Sequence, residues 1–570
     1  MRRLVREVNV KGGVILFRGA AARRYLESDR STADDYYLEA GTALAGFTVA
    51  DVHGELVEAR TLSADEYAAW VDWIDPVTGT SMGIPRLPGE GKHGSPRFAE
   101  MVVNAPKSLS IAAALHPEVS DALDAAQADA AAEIRRWLAQ HSVTRVGPRG
   151  AQEVVQVEQL QTVAVVHRSS RAGDPHRHIH FQIGTRVRAA GAWRALDTAA
   201  LFRQQGAIRA LGTAVIAAHP QLAAVLDAHG LTLDPATGEV TELEQYNALM
   251  SKRGAQVERN LVRIQAEWEQ VHPGEEPGPV VRARMLAQAW GFERPNKKPA
   301  TLTDEEGWRA ELRASGYDAA TLTRATAPAV VSVDDLLIQE VAGRALDRCA
   351  AASSTWTVHT IQEQVTRMTT GYGVRATPRE LCDFVQLTTQ LAAGDCFSVL
   401  PPGAPAPEHV AHLTSLRVVA AEAQLRELLA ASVADPAPRH LDVGELARAR
   451  GLDADQEAAA AAVASTDPLV IVEGAAGSGK TAMLAVAITA SEREGRRSRV
   501  VAPTKRAADV ALQELGVPAD SVAALVYAHG WRWNEDGVWT RLALGDIDPD
   551  TGRSYDGPKQ AAQLRPRDRV

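Results

Sequence analysis

The sequence predicts a multidomain α/β protein in three parts, and three observations support this fold class. The stretch "RHIHFQIGTRV" alternates between two residue faces, which predicts a strand of a central antiparallel sheet in the first part. Segments with helical character dominate the middle region. In the last part, the glycine-rich "GAAGSGKT" stands between an apolar segment that is predicted to be a strand and a predicted helix, which is typical of a phosphate-binding loop.

Changes in composition place the boundaries of these parts. The linker-like "RPNKKPATLTDEEGW" begins just before residue 300, and the proline-rich "PPGAPAPEH" interrupts the helical region near residue 401. We predict domains at 1–300, 301–445 and 446–570, of which the third is a partial RecA-like P-loop domain.

The first part is predicted to alternate between strands and helices. Strands are expected in "NVKGGVILF", "RFAEMVVN", "VEQLQTVAVVHRSS" and "RHIHFQIGTRV". Helices are expected in "SLSIAAALHP", in the long "EVSDALDAAQADAAAEIRRWLAQH" and in part of residues 20–41. The last two strands flank the loop "SSRAGDP" and are predicted to form a hairpin.

Charge and cysteine content limit the possible classes of protein. The 570-residue chain has a net charge of −10, yet ten arginines face only four acidic residues between positions 145 and 209. This basic island is either a solvated surface or a nucleic-acid contact. Three cysteines without a CxxC spacing, and no apolar run of roughly 18–20 residues, predict a cytoplasmic protein without membrane insertion.

Histidines cluster around the predicted hairpin. His178 and His180 lie two residues apart on one strand and therefore point to the same side, and the return of the chain brings His167 beside them. Three convergent imidazoles predict a metal site with open positions, and such ligands favour a transition metal. The alternative is a set of surface histidines in a basic hairpin. His176 lies on the loop and is a weaker candidate.

The pattern H-x-x-S-R-x-x-D-P-x-x-H-x-H resembles the histidine motif of MobF-type conjugative relaxases, which belong to the HUH endonucleases. The resemblance extends over roughly residues 15–300. It implies that His167, His178 and His180 hold a divalent metal, usually described as Mg²⁺ or Mn²⁺, while His176 falls outside the pattern. It also implies an HUH fold, with the histidines on central strands of the sheet.

Three of the nine tyrosines lie close together near the N-terminus, in "RRYLESDRSTADDYY". From the residues alone they are either nucleophiles or half-buried aromatic anchors. The resemblance implies that one tyrosine cuts a DNA strand and stays on its 5′ phosphate. Arg24 stands where the family has another tyrosine, so we assign Tyr25 first, then Tyr36, then Tyr37.

Further site residues follow from the same resemblance. In "EMVVNAPKSLS", Glu100 matches a family carboxylate and is expected either to accept the tyrosine proton or to orient a metal-bound histidine. Lys107, at the start of a predicted helix, is expected to contact a phosphate. Arg171 and Arg186 are expected to contact DNA phosphates.

The last part carries a complete G-x-x-x-x-G-K-[ST] motif. We predict that its loop binds ATP with Mg²⁺ through Gly474, Gly477, Gly479, Lys480 and Thr481. Gln456 resembles the adenine-reading glutamine of superfamily-one helicases, and residues 500–516 resemble a helicase motif of the RecD-like group. The family's Walker B acids lie beyond "LRPRDRV". We therefore expect a fragment or a shortened gene product that binds ATP without efficient hydrolysis.

The leading hypothesis is a metal-dependent, strand-specific DNA nicking and rejoining enzyme, which acts at a plasmid transfer origin in conjugation. The resemblance implies single-stranded or supercoiled origin DNA as substrate, with a coupling protein and accessory proteins as partners. Two alternatives stay open: an ATP-dependent helicase, and a non-catalytic ATP- and DNA-binding remnant.

Overall fold

The computed structural model describes residues 14–18, 45–87, 94–148, 150–170, 172–272, 277–292, 302–326, 328–432, 439–475, 477–534, 539–566 and 568–570. The chain divides into two compact units. The first comprises Met1–Cys349 and Thr355–Leu413, and the second comprises Ala350–Ser354 and Thr414–Val570. Most of the predicted middle region therefore belongs to the first unit, and the boundary at residue 300 stays a prediction.

The first unit is built on an eight-stranded antiparallel sheet, which confirms the α/β fold class. The strands of the unit are β1 (Ile15–Arg18), β2 (Gly46–Asp51), β3 (Leu56–Thr61), β4 (Pro96–Asn104), β5 (Val143–Val146), β6 (Glu153–Gln156), β7 (Gln159–Ser169), β8 (Pro175–Gly184), β9 (Arg186–Ala189), β10 (Ala192–Ala195) and β11 (Cys396–Ser398). The sheet follows the order β1–β4–β8–β7–β2–β3, and β9 joins β7 while β10 joins β9. Strands β5 and β6 pair separately.

The helix predicted within residues 20–41 lies outside the described residues, and the described part of the first unit contains eleven α-helices. They are α1 (Ala64–Val71), α2 (Lys107–Leu115), α3 (Pro117–His141), α4 (Thr198–Ala218), α5 (Pro220–Ala228), α6 (Lys252–Val271), α7 (Pro279–Gly291), α8 (Leu302–Ala314), α9 (Ile338–Ala352), α10 (Val358–Gly371) and α11 (Pro378–Gly394). The long helix predicted at 118–141 is confirmed as α3, which begins with a proline at its first turn.

Helices cover both faces of the sheet around β8. Arg177 of β8 forms a hydrogen bond with Asp124 on α3. Gln182 lies an odd number of positions further along the same strand and forms a hydrogen bond with Tyr67 on α1. Because side chains of a strand alternate between faces, α3 and α1 lie on opposite sides of the sheet. On the α1 side, Trp70 packs in a buried cluster with Phe47, Phe98, Val163 and Val165.

No single helix in the described part of the chain is long and apolar enough to cross a membrane. Helices α4 and α5 satisfy length and composition only as a pair, with a 42° bend between them. The apolar side chains of α4, such as Ile208, Leu211 and Val215, are buried within the first unit.

The second unit contains six helices and several short strands among its described residues. They are β12 (Leu413–Ser415, at the boundary), α12 (Leu416–Ser432), α13 (Gly444–Ala449), α14 (Ala454–Val463), α15 (Lys480–Arg493), β13 (Val500–Ala502), α16 (Lys505–Leu515), β14 (Ala519–Ser521), α17 (Val522–Ala528), β15 (Trp531–Trp533) and β16 (Trp539–Arg541). Strands β13 and β14 pair in parallel on either side of α16 in sequence, which is the βαβ arrangement of α/β domains.

The prediction of a strand directly before the glycine-rich loop is wrong for the described residues. Residues 469–474 form no strand, and Ile471 is 85% exposed. A strand requires a neighbour that accepts and donates its backbone hydrogen bonds. In the described part of this unit, β13 bonds to β14, and no strand lies beside 469–474.

Candidate metal centre and nucleotide loop

The predicted histidine hairpin is confirmed as β7 and β8, two antiparallel neighbours in the middle of the sheet. The register places His167 directly opposite His178 and places Val165 opposite His180. All three imidazoles therefore lie on the same face at one end of the hairpin. The strict alternation of the sequence is the reason, since a shift of one residue would reverse the face of every side chain.

The three imidazole rings lie close together. Their centroids are separated by 5.3 Å for His167–His178, 4.8 Å for His167–His180 and 5.0 Å for His178–His180. His176 stacks on His178 at 4.5 Å. Burial is the main cause that lowers the pKa of His178 and lowers the pKa of His176 to about 3. Both rings are therefore neutral near pH 7, and a neutral imidazole is the form that ligates metals.

Hydrogen bonds orient two of these rings. His178 donates from Nδ1 to the carbonyl of His176 at 2.8 Å, and His180 donates from Nδ1 to Oε1 of Glu100 at 2.9 Å. Each bond places the proton on Nδ1, which leaves Nε2 as the atom with a lone pair. Such a partner on the far nitrogen is typical of metal-binding histidines.

Glu100 belongs to a buried polar chain that continues away from the histidines. It faces Gln182 across the β4–β8 pair, and Oε2 accepts a bond from Nε2 of Gln182 at 3.1 Å. Gln182 in turn accepts a bond from the Tyr67 hydroxyl at 2.7 Å. Both carboxylate oxygens thus accept hydrogen bonds, and the carboxylate is fixed against His180.

The hairpin loop is fastened to a later part of the chain through Asp174. This buried carboxylate accepts hydrogen bonds from the Ser170 hydroxyl and from the backbone N–H of Arg253, each at 3.2 Å. Arg253 lies at the start of α6. The indole of Trp308 on α8 also donates to the Gly173 carbonyl at 2.7 Å. The segment "SKRGAQVERN" and Trp308 therefore support the loop that joins the two histidine-bearing strands.

Lys107 lies at the first position of α2, beside the start of β8. Its amine donates to the Pro175 carbonyl at 2.7 Å. Burial lowers its pKa to about 8, and the nearby Asp174 carboxylate opposes that effect. The amine therefore stands a few residues from the histidines along β8, and its predicted phosphate contact stays a prediction.

The three hairpin imidazoles are suitable metal ligands in their chemistry, but their nitrogen atoms lie farther apart than the ligands of one ion do. Three imidazoles, two of which have a hydrogen-bond partner on Nδ1, suit a transition metal. Among the described residues, however, only His141, His359 and Glu408 bring three ligand atoms within 4.8 Å of one another. The hairpin rings must therefore rotate toward each other to share one ion.

Of the remaining predicted site residues in the first unit, Arg186 is described by the structure, whereas Arg171 and the three tyrosines are not. Arg186 donates to the carbonyls of Met82 and Trp193 and covers the Trp73 ring, so its guanidinium holds neighbouring segments together. Its DNA contact stays a prediction. Arg171 and the three tyrosines predicted as nucleophiles (Tyr25, Tyr36 and Tyr37) lie outside the described residues.

The glycine-rich loop of the second unit leads into α15. Gly477 and Gly479 have φ angles of 77° and 74°, a left-handed conformation that glycine adopts without strain. Lys480 donates to the carbonyls of Gly474 and Ala475 at 2.8 and 2.6 Å. The predicted adenine reader Gln456 contacts this loop, because its Nε2 donates to the Ser478 carbonyl at 3.1 Å. Thr481 follows at the start of α15 and is exposed.

Asp174, Gln182 and Tyr67 are site residues that the sequence predictions do not include. Gln182 continues the alternating face of His178 and His180, and this was the signal that could have found it. Asp174 stands within the quoted histidine motif, but its partner Arg253 is 79 residues away. Tyr67 carries no local signal.

Family models match both units. A model described as TrwC relaxase matches residues 19–315, and one described as AAA domain matches residues 451–549. Together with the antiparallel sheet and its histidine hairpin, these matches define a protein of the relaxase–helicase class. The relaxase model covers more than half of the chain, and the chain belongs to the TrwC relaxase family.

Comparison with solved structures finds conjugative relaxase TrwC bound to oriT DNA. Copper-bound and metal-bound structures each show 18% identity and a TM-score of 0.40. A complex with a 27-mer DNA, comprising the recognition hairpin and the cleavage site, shows 17% identity and a TM-score of 0.38. Each covers 54% of this chain and 99% of the solved chain. No curated protein sequence matches. Family membership rests on the matched family model rather than on these structures.

Proposed function

We propose that the first unit is a strand-specific DNA nicking and rejoining enzyme that uses His167, His178 and His180 as metal ligands. The observation that supports this most directly is the convergence of three imidazoles on one face, two of them held through Nδ1. A divalent metal bound there would polarise a phosphate oxygen as a Lewis acid. Mg²⁺, Mn²⁺ and a transition metal are the candidates.

Glu100 is proposed as a positioning residue rather than a general base. Both of its oxygens already accept hydrogen bonds, one from His180 and one from Gln182. A carboxylate on Nδ1 keeps the proton there and makes the opposite nitrogen more basic. It thereby holds His180 ready to ligate.

The proposed nucleophile is the hydroxyl of Tyr25, with Tyr36 and then Tyr37 as the next candidates. Its oxygen forms a bond to the 5′ phosphorus while the bond from phosphorus to the 3′ oxygen breaks. The phenol proton leaves to solvent, and the released 3′ oxygen takes up a proton. One phosphodiester is exchanged for another, so the reverse reaction rejoins the strand without a further energy source.

The proposed substrate is single-stranded or supercoiled DNA at a plasmid transfer origin, in the setting of conjugation. The arginine-rich stretch between residues 145 and 209 supplies positive charge around the hairpin. Lys107, Arg171 and Arg186 are the proposed phosphate contacts. A coupling protein, accessory proteins and a cytoplasmic location stay predictions.

The test is a relaxation assay on a supercoiled plasmid that carries the protein's own transfer origin. His178→Ala and His180→Ala should each abolish relaxation and the covalent protein–DNA adduct. His53→Ala, at an exposed turn histidine of the same unit, should retain both. Full activity of the His178→Ala/His180→Ala double variant would rule out the proposed metal site.

We also propose that the second unit binds ATP with Mg²⁺. Lys480 and Gln456 both contact backbone carbonyls of one loop, so a charged amine and an amide already converge where phosphates would lie. Thr481 is the proposed Mg²⁺ ligand.

A further inference from the structure

A second group of possible metal ligands lies in the first unit, outside the histidine hairpin. His141 ends α3, His359 lies in the first turn of α10, and Glu408 lies in the loop after β11. A ligand atom from each residue lies within 4.8 Å of the other two. Nδ1 of His141 is 2.7 Å from Oε2 of Glu408. Three distant segments of the chain therefore present donors to one point.

His359 is the unusual member of this group. Its residue is only 1% exposed, and neither ring nitrogen has a hydrogen-bond partner among the described residues. Buried polar groups in folded proteins nearly always have a partner, and a missing one often marks an absent water or ion. The edge-on contact with the Trp137 ring, at 5.5 Å, offers only a weak substitute.

The surrounding groups favour a cation. Burial lowers the pKa of His359 to about 4, so this imidazole is neutral at pH 7. Hydrogen bonding to His141 is the main cause that lowers the pKa of Glu408, so its carboxylate is charged. Two imidazoles and one carboxylate match the donor set of zinc sites that keep a position for water.

We propose that His141, His359 and Glu408 bind one divalent transition metal ion of the Zn²⁺ class. In tetrahedral coordination with bonds of about 2.0–2.1 Å, neighbouring ligand atoms stand about 3.4 Å apart. The observed group is thus close to a binding arrangement, and small side-chain rotations complete it. His141 would exchange its bond to Glu408 for a shared bond to the ion.

This site is separate from the histidine hairpin. Asp124 of α3 contacts Arg168 and Arg177 on the two strands of the hairpin, and His141 ends the same helix. Seventeen residues of helix separate Asp124 from His141, which is about 25 Å. An ion bound by His141, His359 and Glu408 would link the end of α3 to α10 and to the loop after β11, so its proposed role is structural.

The test measures zinc binding in the full chain without the hairpin ligands. Metal-stripped His178→Ala/His180→Ala protein is dialysed against Zn²⁺, and bound zinc is counted by mass spectrometry. We expect one Zn²⁺ per chain and a higher melting temperature with Zn²⁺ than with EDTA. Adding Glu408→Gln or His141→Gln should weaken binding at least about tenfold and remove the thermal shift.

The matched control is Glu118→Gln in the same background. Glu118 is also an exposed glutamate beside a histidine, since its Oε2 lies 3.5 Å from Nε2 of His229. Its substitution should leave zinc binding unchanged. Because Glu408 lies on a loop and its side chain is 53% exposed, its substitution tests the site without disturbing the core. The proposal is overturned if the double variant binds no Zn²⁺ at about 100 µM, or if Glu408→Gln binds as tightly as Glu118→Gln.

Discussion

Glu100 holds His180 by a 2.9 Å hydrogen bond between Oε1 and Nδ1, across the neighbouring strands β4 and β8. The two residues are 80 positions apart in the chain. Since Glu100 is buried and also accepts a bond from Gln182, the carboxylate has little freedom to turn away. This relationship gives the metal proposal its most direct test.

Replacing Glu100 should weaken the hairpin metal site while leaving the fold intact. Glu100→Ala removes the acceptor of His180, and we expect metal affinity and nicking to fall by about 10- to 100-fold. Glu100→Gln keeps one acceptor oxygen, so its metal affinity and nicking should fall less than those of Glu100→Ala. Glu133→Gln, at a buried glutamate of α3 that pairs with Arg136, is the control and should bind metal normally. Isothermal titration with Mn²⁺ measures the difference; equal affinities would exclude the positioning role.

The choice of nucleophile can be tested by mapping the covalent adduct. Tyr25→Phe should abolish the first cleavage, because phenylalanine lacks the attacking oxygen. Tyr36→Phe and Tyr37→Phe should retain it. The control is Tyr555→Phe in the second unit, where the hydroxyl donates to the Ala528 carbonyl at 3.0 Å, and this variant should preserve the adduct. Mass spectrometry of the trapped tyrosine–oligonucleotide identifies the residue, and an adduct on Tyr36 would reverse our assignment.

Lys107 should make stability depend on pH in alkaline solution. Its pKa falls from 10.5 to about 8 on folding because the amine is buried. Between these values the unfolded chain holds a proton that the folded chain has released, so folding stability rises with pH through this window. The rise should be on the order of 2 kcal/mol.

Lys107→Gln should remove this rise relative to the wild-type protein. Lys252→Gln, at a surface lysine that pairs with Glu311, should keep it. Urea unfolding between pH 7.5 and 10 measures the free energy of unfolding for each protein. The same slope in Lys107→Gln and wild type would show that this amine stays charged in the fold.

Local patterns predicted much of the first unit, because strands and helices leave periodic signals in their own residues. The alternation from His178 to Gly184 fixed which side chains share a face, and the hairpin followed from the loop between two such strands. The long helix α3 was also predictable. Contacts between distant segments were not: the bond from His141 to Glu408 joins residues 267 positions apart, and no local pattern predicts it.

The predicted strand before the glycine-rich loop shows a second limit. The apolar run from Leu469 to Val472 has the composition of a buried strand, but strand formation depends on a neighbouring strand. The described part of the second unit provides no such neighbour, and Ile471 is exposed. The apolar composition of this run therefore indicated a propensity for strand, but the run does not form a strand in the structure.

Asp174 should set the rigidity of the hairpin loop. Asp174→Ala removes the acceptor of the Ser170 hydroxyl and of the Arg253 backbone N–H, and we expect a loss of about 1–3 kcal/mol in stability. Metal affinity should also fall, because the loop joins His167 to His178. The control is Asp234→Ala, since Asp234 holds a turn elsewhere through Ala236 and Thr237. It should lower stability similarly but leave metal affinity unchanged, and any equal loss of affinity would refute the link.

Lys480 should decide whether the second unit binds ATP. Its amine now donates to the carbonyls of Gly474 and Ala475, which hold it over the loop where phosphates are expected. Phosphate oxygens are charged acceptors and should replace these neutral carbonyls. Lys480→Ala should therefore weaken ATP binding by about 10- to 100-fold. Lys505→Ala, at an exposed lysine that pairs with Asp509 on α16, should bind ATP normally. Titration with a fluorescent ATP analogue separates the two variants, and equal affinities would show that the loop binds no nucleotide through this lysine.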